Sequence, residues 1–124
     1  MKQTFYICNH CGNIVAMIRD KGIPVHCCHK PMEVISPGTA EASEEKHIPA
    51  YEVTGNTVHV KVGSVEHPMT WEHYIEWICL ETDRGVQYAH LAPDDKPEAS
   101  FALCQGDQVR SVSAFCNQHS LWRN

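Results

Sequence analysis

Gly55-Asn56-Thr57-Val58-His59-Val60-Lys61-Val62 is the stretch whose reading decides the fold. From Thr57 onward polar and apolar side chains alternate without a break, the period of a strand with one buried face. Val58, Val60 and Val62 are therefore expected in a core, with Thr57, His59 and Lys61 pointing away from it. The Gly-Asn pair ahead of the run is a hairpin turn signal, so residues 48–54 are the expected partner strand. Working outward, strand-like runs recur at 74–82, 86–91, 99–103 and 109–115, separated by Asp83-Arg84-Gly85 and by the proline-flanked segment 93–97. Short strands at such intervals suit a sandwich of antiparallel sheets. No stretch keeps a helical period, and neither an internal repeat nor a low-complexity tract occurs, so the expected fold class is all-β.

The 124 residues carry 7 Cys and 9 His, a strong bias toward metal-ligand chemistry. No apolar run is longer than 14–18, too short for a membrane span of ~20 residues or the ~7–15-residue core of a leader. A soluble, cytoplasmic protein with no membrane contact is expected. An odd thiol count in such a chain suits metal binding or redox chemistry better than a secreted disulfide framework. The formal charge of −5 and only 10 Lys and Arg argue against nucleic acid, whose phosphates demand basic contacts.

The composition changes near residue 37, where Ser36-Pro37-Gly38-Thr39-Ala40-Glu41-Ala42-Ser43-Glu44-Glu45 reads as a linker or loop. Domains are accordingly expected at 1–37 and 38–124. Before the boundary lie four of the seven Cys, and the β-like pieces 4–7, 14–18 and 32–35 are too few to build a sufficient core, so a metal must substitute for one. Cys8-Asn9-His10-Cys11 is a knuckle, and Cys27-Cys28 follows it. Four thiolates can close a tetrahedral site around iron or zinc. Adjacent cysteines on an extended strand point to opposite faces, so the backbone must bend for both to reach one ion. The bland readings are a purely structural zinc site or a dithiol redox pair. His10, His26 and His29 are expected to be exposed or to sit just outside the ligands, since four thiolates already satisfy an ion.

The second segment holds its histidines at turns and strand ends: His47 after Glu45-Lys46, His67 and His73 within His67-Pro68-Met69-Thr70-Trp71-Glu72-His73, and His119 after Cys116-Asn117-Gln118. Loops at one end of a sandwich can converge on one point. Each residue alone reads equally as a surface histidine or a small buried thiol. A Cys116–His119 nucleophile pair is a further possibility, although no orienting partner is recognisable. His59 and His90 sit in mid-strand and are read as bystanders, and Cys79 and Cys104 as packing residues or a regulatory disulfide.

Taken together, Cys8-x-x-Cys11-Gly12-Asn13, Cys27-Cys28-x-x-Pro31-Met32, Glu45-Lys46-His47, Lys61-Val62-Gly63-Ser64-x-x-His67-Pro68-Met69, His73-Tyr74-Ile75-x-Trp77, Pro97-Glu98-Ala99 and Cys116-Asn117-x-His119, where x is any residue, resemble desulfoferrodoxin, the two-iron superoxide reductase. The resemblance runs in order from about Phe5 to Trp122. It implies a small desulforedoxin-like N-terminal domain, metal-stapled, with an Fe(Cys)4 centre on Cys8, Cys11, Cys27 and Cys28. An immunoglobulin-like β-sandwich follows, with the active iron on His47, His67, His73, His119 and Cys116. Within the family the four imidazoles are equatorial and the thiolate axial. It further implies that Glu45 closes the sixth position of the ferric iron and that Lys46 draws in the superoxide anion. The implied activity is one-electron reduction of superoxide to hydrogen peroxide, with rubredoxin or a similar protein as electron donor and a homodimer as the assembly. His29 and Ser120 depart from the family, which commonly has Gly at both places. The first departure bears on the turn and potential of the four-Cys centre and leaves the ligand set intact. Two other functional classes stay open at this point: a rubredoxin-like electron carrier working through the four-Cys iron, and a zinc-stabilised binding module. Metal content and a visible spectrum separate them.

Overall fold

In the strand Thr57–Val62 the three valines are buried to within 1% of complete, as the alternation requires. The computed structural model describes residues 3–39 and 47–124, which fall into two compact units, Met1–Ser36 and Pro37–Asn124. All regular structure among them is β, and no helix long and apolar enough to cross a membrane occurs among the described residues.

In the first unit, β1 (Thr4–Ile7) pairs antiparallel with β2 (Ile14–Met17) and, on its other edge, with β5 (Glu33–Val34). Between them β3 (His26–Cys27) and β4 (Lys30–Pro31) make a minimal hairpin. A core cluster of Tyr6, Cys8 and Met32, with Val15, Met17 and Cys27 packed against it, is small for a folded unit.

The strands of the second unit are β6 (Pro49–Thr54), β7 (Thr57–Val62), β8 (Ile75–Thr82), β9 (Val86–His90), β10 (Glu98–Ala102), β11 (Val109–Cys116) and β12 (Ser120–Arg123). They form a sandwich of a three-stranded sheet, β10–β7–β6, and a four-stranded sheet, β12–β11–β8–β9. All their pairings are antiparallel. The core lies between the sheets: Val58, Val60, Val62 and Phe101 from one, and Ile75, Ile78, Leu80, Val112, Ala114 and Cys116 from the other. Gly55 at φ 61° takes the first central position of the β6–β7 turn, where a II′-type hairpin needs a positive φ.

Two features depart from simple alternation. Phe115 pairs with Trp77 but Cys116 pairs with Ile75, so Glu76 is the extra residue of a bulge. The bulge switches the parity of β8, turning Ile75 inward beside Ile78 and Leu80 while Trp77 stays on the opposite face, stacked on Phe115 with ring centroids 5.4 Å apart. That is why both faces of this strand read as apolar in the sequence. The second feature is β12, a strand of four residues too short to register as a periodic run. Its residue Trp122 forms a parallel bridge with Gly38.

Candidate metal centres

The first group is built on two turns. After β1 the Cys8 N–H donates to the Asn13 carbonyl and the Gly12 N–H donates to the Cys8 carbonyl, at 2.9 and 2.8 Å, which curls Cys8–Cys11 into a knuckle. At the β3–β4 hairpin Cys28 and His29 both have positive φ, 53° and 63°, as the two central residues of a I′ turn require. This supplies the bend that adjacent cysteines need: Cys27 ends a strand and Cys28 begins its turn. One sulfur from each of Cys8, Cys11, Cys27 and Cys28 lies within 4.8 Å of all the others, with Cys11 and Cys27 at 3.7 Å and Cys27 and Cys28 at 4.0 Å. The N–H of Cys11, and then that of His10, pull the Cys8 thiol down to about 6. Interaction with the Cys11 sulfur, followed by burial, pushes Cys28 up to about 12. One thiolate thus suppresses ionisation of its neighbours, and a cation is what allows all four to ionise together. His10, His26 and His29 are exposed.

The second group gathers at one end of the sandwich. His47 precedes β6, His67 and His73 lie in the loop between β7 and β8, Cys116 ends β11 and His119 lies in the β11–β12 turn. Ligand atoms of His47, His67, His73 and Cys116 fall within 4.8 Å of one another. His119 joins them, its Nδ1 3.1 Å from His47 Nε2 and 3.9 Å from the Cys116 sulfur. The four imidazoles form a closed cycle, 47 to 67 to 73 to 119 and back to 47. Successive centroids are 4.8–5.0 Å apart and planes meet at 63–82°, so each ring stands edge-on to the next. Two nitrogens bound at right angles about 2.1 Å from one ion lie about 3.0 Å apart, close to the His47–His119 separation. A ring of four neutral imidazoles with one soft sulfur suits a transition metal of intermediate softness, and five donors leave an octahedral ion one open position. Cys116 and His47 are buried, His73 is half-buried and His119 is exposed, so the group opens to solvent on the His119 side.

Neighbouring groups orient these donors. His67 Nδ1 is 2.8 Å from the Pro68 carbonyl, a contact it makes as the donor, which turns Nε2 toward the cycle. Backbone bonds between Thr70 and His73 in both directions, at 2.9 and 3.1 Å, close the loop that carries His73. Asn117 ties that loop to the β11–β12 turn: its Oδ1 accepts from the Tyr74 N–H at 3.0 Å and its Nδ2 donates to the Glu72 carbonyl at 3.2 Å. Trp122 stacks on His47 with centroids 4.8 Å apart and planes at 17°. Sequence reasoning gave no role to Asn117 or Trp122. Both stand within three residues of Cys116 or His119, and Asn117 lies inside the stretch from Cys116 to His119 that carries the family resemblance.

Glu45 and Lys46 lie outside the described residues. Of the other expectations, His59 is in strand β7, 2.8 Å from the Ser100 hydroxyl, and His90 ends β9. Cys79 is fully buried and burial pushes its thiol up to about 12, whereas Cys104 is exposed, so a packing role does not hold for Cys104. Both are free thiols.

Residues 39–124 match the family model described as Desulfoferrodoxin. A desulfoferrodoxin from Syntrophotalea carbinolica is 43% identical over 121 residues, covering 98% of this chain and 94% of that protein. The crystal structure of the superoxide reductase from Treponema pallidum superposes with a TM-score of 0.84 at 40% identity, covering 99% of this chain and 97% of that one. A superoxide reductase (1Fe-SOR) from Giardia intestinalis covers 65% of this chain and 96% of its own length, with a TM-score of 0.57 at 34% identity.

Proposed function

The chain belongs to the desulfoferrodoxin family, and from that premise we propose that it is a superoxide reductase acting at the His47, His67, His73, His119 and Cys116 group. The observation that carries this reading is the closed cycle of four edge-on imidazoles with a buried sulfur among them, open to solvent on one side. Superoxide takes one electron and two protons and leaves as hydrogen peroxide. His47, His67, His73, His119 and Cys116 would hold iron, which would supply that electron, and rubredoxin or a similar donor would restore it.

The chain's own residues supply the rest. Neutral imidazoles and one thiolate together carry a single negative charge, so a divalent cation leaves the group net positive within a chain of net charge −5. Lys46, adjacent to His47 in sequence, adds a second positive charge for the incoming anion and raises its encounter rate. Cys116 ends a core strand, where a thiolate is stable only beside a cation, and its electron density favours the oxidised metal. Glu45 would supply a carboxylate ligand to the bound metal between turnovers. In the first unit, Cys8, Cys11, Cys27 and Cys28 would hold a second iron, with zinc the alternative occupant, and four thiolates would let such a site pass or store an electron without taking a substrate. Functionally the division is 1–37 as the desulforedoxin-like domain and 38–124 as the reductase domain.

The test is Cys116→Ser with metal analysis and a visible spectrum. The variant is expected to lose the thiolate-to-iron absorption and most superoxide reduction while keeping the four-Cys iron. Retention of both properties would falsify the assignment. Lys46→Ala should slow the bimolecular step at low salt with metal content unchanged, and an unchanged rate would remove the electrostatic role.

A further inference from the structure

Trp122 makes three contacts that differ in kind. Its ring lies nearly parallel to that of His47, 4.8 Å away. Its Nε1–H donates to the carbonyl of His119 at 2.9 Å. Its six-membered ring lies against Gly38, where a Cβ would come within 2.7 Å of Cε3 and Cζ3. The backbone completes the seat, since the Gly38 N–H donates to the Leu121 carbonyl and the Arg123 N–H donates to the Gly38 carbonyl, both at 2.9 Å. His47 and His119 are separated by 72 positions in the chain, and their facing nitrogens are 3.1 Å apart. One side chain of β12 therefore touches both members of that pair.

We propose that Trp122 is the positioning residue of this centre, holding the plane of His47 by stacking and the turn that carries His119 by hydrogen bonding. Simple packing would need neither contact, because any apolar side chain of similar bulk fills space. Stacking and N–H donation are directional, and an indole has only two side-chain torsions with which to lose its place. The stack also responds to metal. An imidazole that donates to a cation becomes electron-poor, and the electron-rich face of an indole attracts it more strongly in that state. Trp122 therefore stabilises the metal-bound form of His47 over the free form. This inference rests on the reading of the five residues as a metal centre and does not require that superoxide be the substrate.

The experiment compares Trp122→Phe, Trp122→Leu and Gly38→Ala in the full, iron-loaded chain, following loss of iron from this centre to a chelator together with its ferric absorption and electron paramagnetic resonance. Gly38 lacks a positive φ, so alanine is compatible with its backbone and acts by displacing the indole. Trp122→Phe keeps a stacking ring but loses the N–H that holds the His119 turn, so its iron loss should fall between that of wild type and that of Trp122→Leu. Trp122→Leu and Gly38→Ala should release iron about 10–100-fold faster, the usual cost of removing a group that orients a ligand. Their resonance should spread over a range of site geometries. Wild-type iron retention and spectra in both variants would overturn the proposal, as would a Trp122→Phe variant as impaired as Trp122→Leu. A fall in the thermal midpoint of the metal-free sandwich that accounts for the whole iron loss would reduce Trp122 to packing and overturn it too. Iron retention is read without substrate, so an iron-replete wild type that fails to reduce superoxide sinks the reductase reading and leaves this one standing.

Discussion

Ser120 is an exposed residue with φ 66°, closing the β11–β12 turn one position after His119. A side chain bearing a Cβ costs roughly 1–2 kcal/mol in the left-handed region. Glycine removes that cost, and its extra freedom in the unfolded chain returns about 0.5–1 kcal/mol of it. Ser120→Gly should therefore stabilise the second unit by roughly 0.75 kcal/mol at mid-range, which for a domain of this size raises the thermal midpoint by about 3–6 °C. The assay is thermal unfolding followed by circular dichroism, with Ser120→Ala as control. Alanine removes the same exposed hydroxyl and keeps the strain, so it should bring no gain. The increase should appear in metal-free as well as metal-loaded protein, because its source is the backbone. If Ser120→Gly were no more stable than Ser120→Ala, the strain assigned to this turn would be absent and the reasoning wrong. His29, at φ 63° in the four-Cys turn, is the same case in the first unit.

Three other outcomes are expected. Leu80→Ala empties a fully buried position between the sheets and should destabilise the sandwich by about 2–5 kcal/mol, measured by denaturant unfolding. A chelator that strips metal from the four-thiol group should unfold the first unit, exposing the buried Phe5 and Tyr6 to chymotrypsin; a first unit equally resistant without metal would show that its small core suffices. The hydrogen bond from Arg110, together with its charge, holds the Asp83 carboxyl below its ordinary value. Its contribution to stability is complete above the unfolded-state value of about 4 and is lost as pH falls through the lower folded value. Asp83→Asn should therefore flatten the acid limb of the midpoint–pH curve, and an unchanged limb would refute this.

Much of the strand pattern could be read locally. The alternation in Thr57–Val62 and the Gly55 turn both depend on neighbours within a few residues, and hydrophobic burial enforces them wherever the strand is placed. The bulge at Glu76 is a different case, since it exists only against the register of β11. Strand β12 was invisible because its four residues gain their place from pairing with Ala114 and its neighbours rather than from any period of their own.

The candidate sites divide in the same way. Cys8–Cys11 and Cys27–Cys28 are local pairs whose spacing already announces a shared ion, and the need for a bend between the adjacent cysteines follows from strand geometry alone. The positive φ values at Cys28 and His29 show how the bend is made. For the histidines, the sequence by itself determined that the candidates sit at turns and strand ends. That four of them close into a ring of edge-on imidazoles around a buried sulfur was decided only by the tertiary structure. Residues as far apart as His47 and His119 meet through the order in which strands pair, and no local pattern encodes the distance between them. Trp122 belongs wholly to this second kind: its indole has meaning only because the fold sets it between Gly38, His47 and the carbonyl of His119.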